Sequence, residues 1–264
     1  MSITSTLIDG ADIRFREAAD VLRPYVGCFW VITAQRGATI RVVPDGSTAI
    51  SIRIENGRCS GWLLRGPLVE PDERCYAAPA TLVGVRLRPG VAVLVSGIAA
   101  DRTLGRRIEL AGIAPSAGAE HDASWTPAQY IDTLERFLID RIGNARVPDI
   151  VSRAIQEIER EHGSLRVSAL AERCGVSPRH LNRLMRGWVG YGPKCFARIV
   201  RFQTTLHQIE HSPAQSGATL ASDTGYFDQA HLTLDVTRLA GATPRHLASH
   251  SVSDFSKTRC DDLP

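Results

Sequence analysis

The side chains in this chain best placed to do chemistry lie between Gly175 and Gly190, in the stretch GVSPRHLNRLMRGWVG. Arg179, Asn182, Arg183 and Arg186 recur at the three- and four-residue spacing that gathers side chains on one face of an α-helix. Guanidinium and carboxamide groups are those that pair in bidentate fashion with guanine and adenine edges in a major groove. Leu181, Leu184, Met185 and Trp188 repeat at i, i+3, i+4 and i+7, so the same helix has an apolar face to bury. Charge is concentrated here too. From Ser164 to Thr204 eight basic side chains (Arg166, Arg173, Arg179, Arg183, Arg186, Lys194, Arg198 and Arg201) meet one acid, Glu172, a local +7 in a chain whose total is +3. The remainder of the protein is therefore net acidic, and a basic face on a near-neutral body suits phosphate neutralisation.

These residues need elements to hold them. Val167, Leu170, Ala171 and Cys174 predict a short amphipathic helix, which Gly175-Val176-Ser177 turns into the arginine-bearing one, with Ser177 as N-cap and Pro178 at the first helical position. Helix, glycine turn, helix is the helix-turn-helix pattern. Pro193 opens a long helix to about Glu210, whose 18 residues span roughly 27 Å. Beyond it the pattern returns: Thr219 to Asp223 as a supporting helix, Thr224 to Phe227 as the turn, and Asp228 to Leu239 as a second reader. Leu232, Val236 and Leu239 face inward there, with Gln229, Ala230, Thr233, Leu234 and Thr237 outward. A rod of this length can hold two reading units near the roughly 34 Å between successive major grooves on one face of DNA. Ala242-Thr243-Pro244 starts a closing helix, and Ser251 to Pro264 reads as a tail.

The first half has a different texture. Residues 1 to about 20 show no firm periodicity, but from Pro24 short β-rich runs follow: Val26 to Thr33, Thr39 to Val43, Thr48 to Ile54, Gly61 to Arg65 and Thr81 to Leu87. Turn chemistry separates them at Pro44-Asp45-Gly46, Glu55-Asn56-Gly57 and Arg65-Gly66-Pro67. The expected architecture is α+β: a small antiparallel, cupin-like β-barrel over 1–118, then an all-α domain over 148–250. In the latter, helix-turn-helix units at 167–189 and 215–239 flank the long helix at 193–210. Val91 to Ser96 reads equally as strand or short helix. Gly112 to Ser124, rich in Ala, Gly, Ser and Pro, reads as a linker, and 119–147 carries it into a helix opened by Thr126-Pro127 and closed by Gly143-Asn144. On that helix Ile131, Leu134, Leu138 and Ile142 form a stripe that packs against the β-rich domain or against a second copy of the chain. Pro148 begins another helix, with Ile150, Val151, Ala154, Ile155 and Ile158 inward.

Composition narrows the function classes. With 44% hydrophobic and 22% charged residues the chain reads as a soluble globular protein. Its longest aliphatic run, Val91 to Val95, is too short to span a bilayer, and MSITSTLIDG has neither a basic nor an apolar leader region. A cytoplasmic protein with reduced thiols is expected. All eight histidines lie at or after His121, so neither a His-ligated metal nor a Ser-His-Asp triad can sit within the β-rich domain. No catalytic residue, cofactor or metal is expected. Cys28, Cys59 and Cys75 leave an alternative, a thiol-reactive or metal-binding sensor or alkyl acceptor that uses the helical module for targeting; ordinary buried thiols fit better, there being no close pairing motif. Trp30 and Trp62 are the candidates for stacking a planar ligand.

The stretch SALAERCGVSPRHLNRLMRGWVGYGPKCFARIVRFQ, then LASDTGYFDQAHL and RLAGATP, resembles the paired helix-turn-helix domain of the AraC/XylS family of bacterial transcription regulators over roughly Val147 to Ser249. GCFW (Gly27 to Trp30), PDG (Pro44 to Gly46) and VRLRPG (Val85 to Gly90) are similar to the small sensor-like domain of one branch of that family. The resemblance implies double-stranded DNA as partner, base contacts from Arg179, Asn182 and Arg183 in the first reader, and from Gln229, Ala230, Thr233 and Leu234 in the second. Phosphate contacts are expected from Ser177, His180, Arg186, Lys194, Arg198 and His231. RNA polymerase, a small-molecule effector and a second copy of the chain are the further candidate partners, with activation and repression both open. The chain departs from the family at Leu234, where a polar or basic residue is usual, at Val236, where an aromatic is usual, and at Gly217. From 214 to 246 two arginines face three aspartates, so the first unit is expected to supply most of the affinity.

Overall fold

The computed structural model describes residues 6–9, 11–35, 38–55, 58–76, 79–113 and 125–249. The expected Glu55-Asn56-Gly57 turn, most of the Gly112 to Ser124 stretch and the tail from Ser251 lie outside the described residues or only partly within them. Among the described residues nine strands and three helices come first in chain order: β1 (Thr6–Asp9), β2 (Asp12–Arg16), β3 (Val26–Ala34), β4 (Ala38–Val42), β5 (Thr48–Glu55), β6 (Arg58–Arg65), β7 (Asp72–Tyr76), β8 (Ala80–Leu87), α1 (Val91–Ser96), α2 (Ala100–Thr103), β9 (Arg107–Glu109) and α3 (Pro127–Ile142). Seven helices follow: α4 (Asp149–Arg160), α5 (Val167–Arg173), α6 (Pro178–Val189), α7 (Pro193–His211), α8 (Gly217–Asp223), α9 (Gln229–Ala240) and α10 (Pro244–Ser249).

The α+β division holds, but the expected barrel does not. The strands pair antiparallel in two open sheets, β2-β3-β8-β5-β6-β9 and β1-β4-β7, and among the described residues neither closes on itself. β1 and β2 fall where periodicity is silent. A six-stranded sheet with both faces covered explains why the alternation reads so strongly apolar. On β3, Phe29 and Val31 point to one face, Trp30 and Ile32 to the other. Ile50 and Ile52 of β5, Trp62 and Leu64 of β6, and Val83, Val85 and Leu87 of β8 share the first face. Against it lie Val91 and Val95 of α1 and the stripe Tyr130, Ile131, Leu134, Phe137, Leu138 and Ile142 of α3. Burial on the sheet, rather than a second copy, is what occupies this stripe, and Thr126 caps the helix with a reciprocal bond to Gln129. Val91–Ser96 is a helix because Gly90 and Gly97 take left-handed conformations at its two ends. The second face looks across a cavity to the small sheet, with Ile32, Ile40 and Leu82 as its apolar centre.

The helices form two further cores. α4, α5 and α6 close over Val151, Ile158, Leu170, Leu181, Met185 and the first half of α7. The second half of α7, with Phe202, Leu206 and Ile209, closes with α8, α9 and α10 over Leu220, Tyr226, Leu232 and Val236. The helical part also packs on the sheets. Val43, just after β4, is buried in the α7–α9 core, α2 packs on α6, and Val69 and Leu104 touch the α4–α7 core. Among the described residues no helix is long and apolar enough to cross a membrane.

Candidate nucleic-acid interface

α6 is held from three sides. Ser177 caps it, its hydroxyl accepting from the His180 amide at 3.2 Å, and Gly175 makes the turn from α5 at a φ of +68° that side chains with a Cβ resist. Leu181, Met185 and Val189 are buried beneath it, with Leu184 and Trp188 half-buried at the flanks. What remains outward is Arg179, Asn182, Arg183 and Arg186, all exposed. A guanidinium nitrogen of Arg183 lies 3.2 Å from Nδ1 of His180, which steadies the arginine across one turn. Asn182 reaches back toward the α6–α7 turn: a Cβ at Gly192 would come within 2.1 Å of its Oδ1. Together with Ser177 and His180 this face lines an open cleft whose far wall is Asp101 of α2.

The eight cations of the basic stretch divide by role. Arg173 is tied to Glu157 and Glu161 at 2.7 and 2.8 Å, and holds Glu157 below the ordinary carboxylate range. Arg201 donates to the Gly163 carbonyl at 2.9 Å and lies 5.3 Å over the Tyr226 ring. Arg198, expected on a phosphate, instead binds Asp235 of α9 through Nε at 2.8 Å and through a second nitrogen at 2.7 Å. Among the described residues Arg166, Arg179, Arg183, Arg186 and Lys194 have no ion pair, and Arg166, Arg179, Arg183, Arg186 and Lys194 are exposed. The density of positive charge available to a partner is thus lower than the sequence count and is concentrated on α6.

α9 repeats the arrangement with a different surface. Asp228 caps it, accepting from the His231 amide at 2.7 Å, and Gly225 turns the chain at a φ of +74°. Leu232, Val236 and Leu239 are buried, while Gln229, Ala230, Leu234 and Thr237 are exposed and Thr233 is half-buried. Leu234 is 70% exposed and Phe227 of the turn 92%, unusual values for large apolar side chains. Gln229 lies over Gly217, where a Cβ would come within 2.7 Å of it; the departure at Gly217 makes room for this carboxamide. His231 sets its ring edge-on to Tyr226, centroids 5.2 Å apart. Burial, with Asp235 adding, pushes the Tyr226 hydroxyl up to about 12, so the ring stays neutral. Asp235, inward on α9, escaped the sequence reading because one polar residue at a core position carries no signal of its partner 37 residues away.

Residues 170–250 match the family described as a helix-turn-helix domain. The C-terminal part of the chain is an AraC-type helix-turn-helix domain. Residues 16–109, ahead of this AraC-type domain, match a domain of unknown function, DUF6597. No curated protein matches the chain. Among solved structures, the C-terminal domain of the response regulator AraT from Geobacillus stearothermophilus is 19% identical, covering 46% of this chain and 95% of that one, with a TM-score of 0.38. A probable AraC family transcriptional regulator from Rhodopseudomonas palustris is 20% identical over 39% of this chain and 98% of that one, TM-score 0.37. ToxT from Vibrio cholerae is 7% identical over 93% of this chain and 98% of that one, TM-score 0.46.

Ahead of the AraC-type domain the candidate ligand residues separate. Trp30 borders the cavity between the sheets, lying so close over β8 that a Cβ at Gly84 would sit 2.2 Å from its ring. Trp62 points the other way, into the core beneath α3, edge-on to Phe137 at 5.1 Å. Adjacent β positions face opposite sides, so Leu63 and Arg65 border the cavity and Trp62 does not. The three cysteines of the alternative reading do not converge. Cys28 borders the cavity, Cys59 packs toward the opposite face, and Cys75 is exposed on β7; burial pushes the Cys59 thiol up, away from the reactive thiolate.

Proposed function

We propose that the protein is a sequence-specific regulator of transcription that binds double-stranded DNA in the cytoplasm and is not an enzyme. α5–α6 and α8–α9 are its two helix-turn-helix units. The observation that carries this reading is the exposed guanidinium face of α6, presented by a helix whose opposite side is core and joined to α9 by the 19 residues of α7, roughly 28 Å of rod. Arg179, Asn182 and Arg183 read base edges in the first groove; Gln229, Ala230, Thr233 and Leu234 meet the second, with Leu234 suited to a thymine methyl. Ser177, His180, Arg186, Lys194 and His231 meet phosphates. Arg198 is left out of that set, its guanidinium being engaged by Asp235.

The β-rich domain would set the disposition of the readers through the loop 43–47. Val43 is part of the α7–α9 core, the Pro44 carbonyl accepts from Gln203 of α7 at 2.7 Å, and Gly46 sits against Phe196 of α7. Asp45 and Ser47 of the same loop border the cavity. A small-molecule effector that moved this loop would act directly on the helix between the two readers. The experiment is selection of fragments bound by the full chain from a random DNA pool. Two boxes about 10 base pairs apart are expected, one per reader; no enriched motif, or a single box, refutes the paired reading.

A further inference from the structure

The cavity between the two sheets is lined by apolar side chains, among them Trp30, Ile32, Ile40 and Leu82, and by four arginines, Arg65, Arg74, Arg86 and Arg107, against two carboxylates, Asp45 and Asp72. The carboxylates are already taken. Asp45 is buried, accepts from Arg86 at 2.8 Å, and receives the Ser47 amide and hydroxyl at 2.9 and 2.7 Å. Asp72 holds Arg107 at 2.5 Å and Arg74 at 3.4 Å. Two positive charges are left over, gathered around a cavity of about 90 Å³. Burial of the Arg65 guanidinium lowers its pKa even with Asp45 and Asp72 beside it, the sign of a cation whose surroundings under-compensate it.

We propose that this cavity binds a small organic monocarboxylate, its acid group paired with the surplus arginines and its apolar body against Trp30 and the isoleucine and leucine side chains. Guanidinium forks match a carboxylate in bidentate geometry, and the volume is well below the roughly 300 Å³ and more of pockets for drug-sized ligands. A bare oxyanion such as phosphate would leave the apolar wall unused. The assignment deepens the effector reading above and rests on it only for its regulatory meaning, since the cavity can be tested without DNA.

The test is calorimetric titration of the full chain with each straight-chain acid from butyrate to decanoate, with benzoate, with the matching neutral amides, and with inorganic phosphate. At least one acid is expected to bind about tenfold more tightly than its amide, the difference a charge-assisted pair makes. That preference should fall away in Arg86→Gln and in the milder rim variant Arg107→Gln, which keeps the assignment testable if Arg86→Gln does not fold. No binding by any acid, equal binding of acid and amide, tighter binding of phosphate than of every acid, or an unchanged preference in a folded variant would each overturn the proposal. DNA binding of the unliganded protein is measured beside it: loss of the acid site with DNA binding intact sinks only this inference, and an acid-binding protein that binds no DNA sinks the regulator reading.

Discussion

Gly46→Ala probes the contact between the loop 43–47 and α7. Gly46 has a φ of +81°, and an alanine Cβ there would sit 2.6 Å from Cε2 of Phe196. The left-handed backbone alone costs an L-residue about 1–2 kcal/mol. Phe196 is buried and stacks on Tyr191, ring centroids 6.2 Å apart, so it has no open direction in which to swing. Tyr191 is itself buried, its hydroxyl pushed well above the usual tyrosine value by burial and by nearby Asp45. Overpacking of this kind typically adds about 1–3 kcal/mol, for a combined loss of roughly 2–5 kcal/mol. In a chain of this size that lowers Tm by roughly 4–20 °C, measured by differential scanning calorimetry. Gly97→Ala is the control: φ is +72° and nothing lies within 4 Å of its Cβ, so it carries the backbone cost alone. Equal Tm losses for the two variants would show that loop 43–47 does not press on α7 as described.

On DNA, Arg183→Ala should cost about 1–3 kcal/mol on the selected site and relax one base position, whereas Lys194→Ala should weaken all sequences alike and flatten the salt slope by about 0.9; equal losses by Arg183→Ala on selected and random DNA would make Arg183 a phosphate contact. Arg198→Ala should leave that slope unchanged but lower the urea midpoint by the equivalent of about 1–3 kcal/mol, since Asp235 is only 9% exposed and loses its partner. A double-mutant cycle with Asp235→Ala should show coupling above about 0.5 kcal/mol, and additive losses would dismiss the bridge. Burial raises the pKa of Asp45, but Arg86, Arg65 and the Ser47 bonds outweigh it, so the folded value lies below the ordinary one. Its contribution to stability is therefore full above the ordinary carboxylate pKa of about 3.9 and is lost as pH falls through the lower folded value. Urea midpoints should drop more steeply on acidification for the native protein than for Asp45→Asn, and parallel drops would refute the assignment.

α6 was legible in the sequence because everything that makes it is local. The Ser177 cap, Pro178, the glycine turn and a core face at i, i+3, i+4 and i+7 all lie within 16 residues, and the cost of a mistake in any of them falls on that helix alone. For the same reason α3, α7 and α9 could be placed within a residue or two. Strand positions were legible in five runs, since alternation is local too. Their closure was not, because whether sheets close or stay open depends on pairing between segments far apart in the chain, such as β6 with β9. Trp62 shows the limit most sharply. Its type suggested a ligand platform, yet which of the two apolar faces it occupies follows from register, and register is settled by partners. Charge behaved alike: the count of eight cations is a property of the sequence, but Arg173, Arg198 and Arg201 are engaged by acids, a carbonyl and a ring that only folding brings near. The arginine-rich cavity had no local signal at all, being assembled from β6, β7, β8 and β9 and the loop after β4, where long-range electrostatics and packing had to act together.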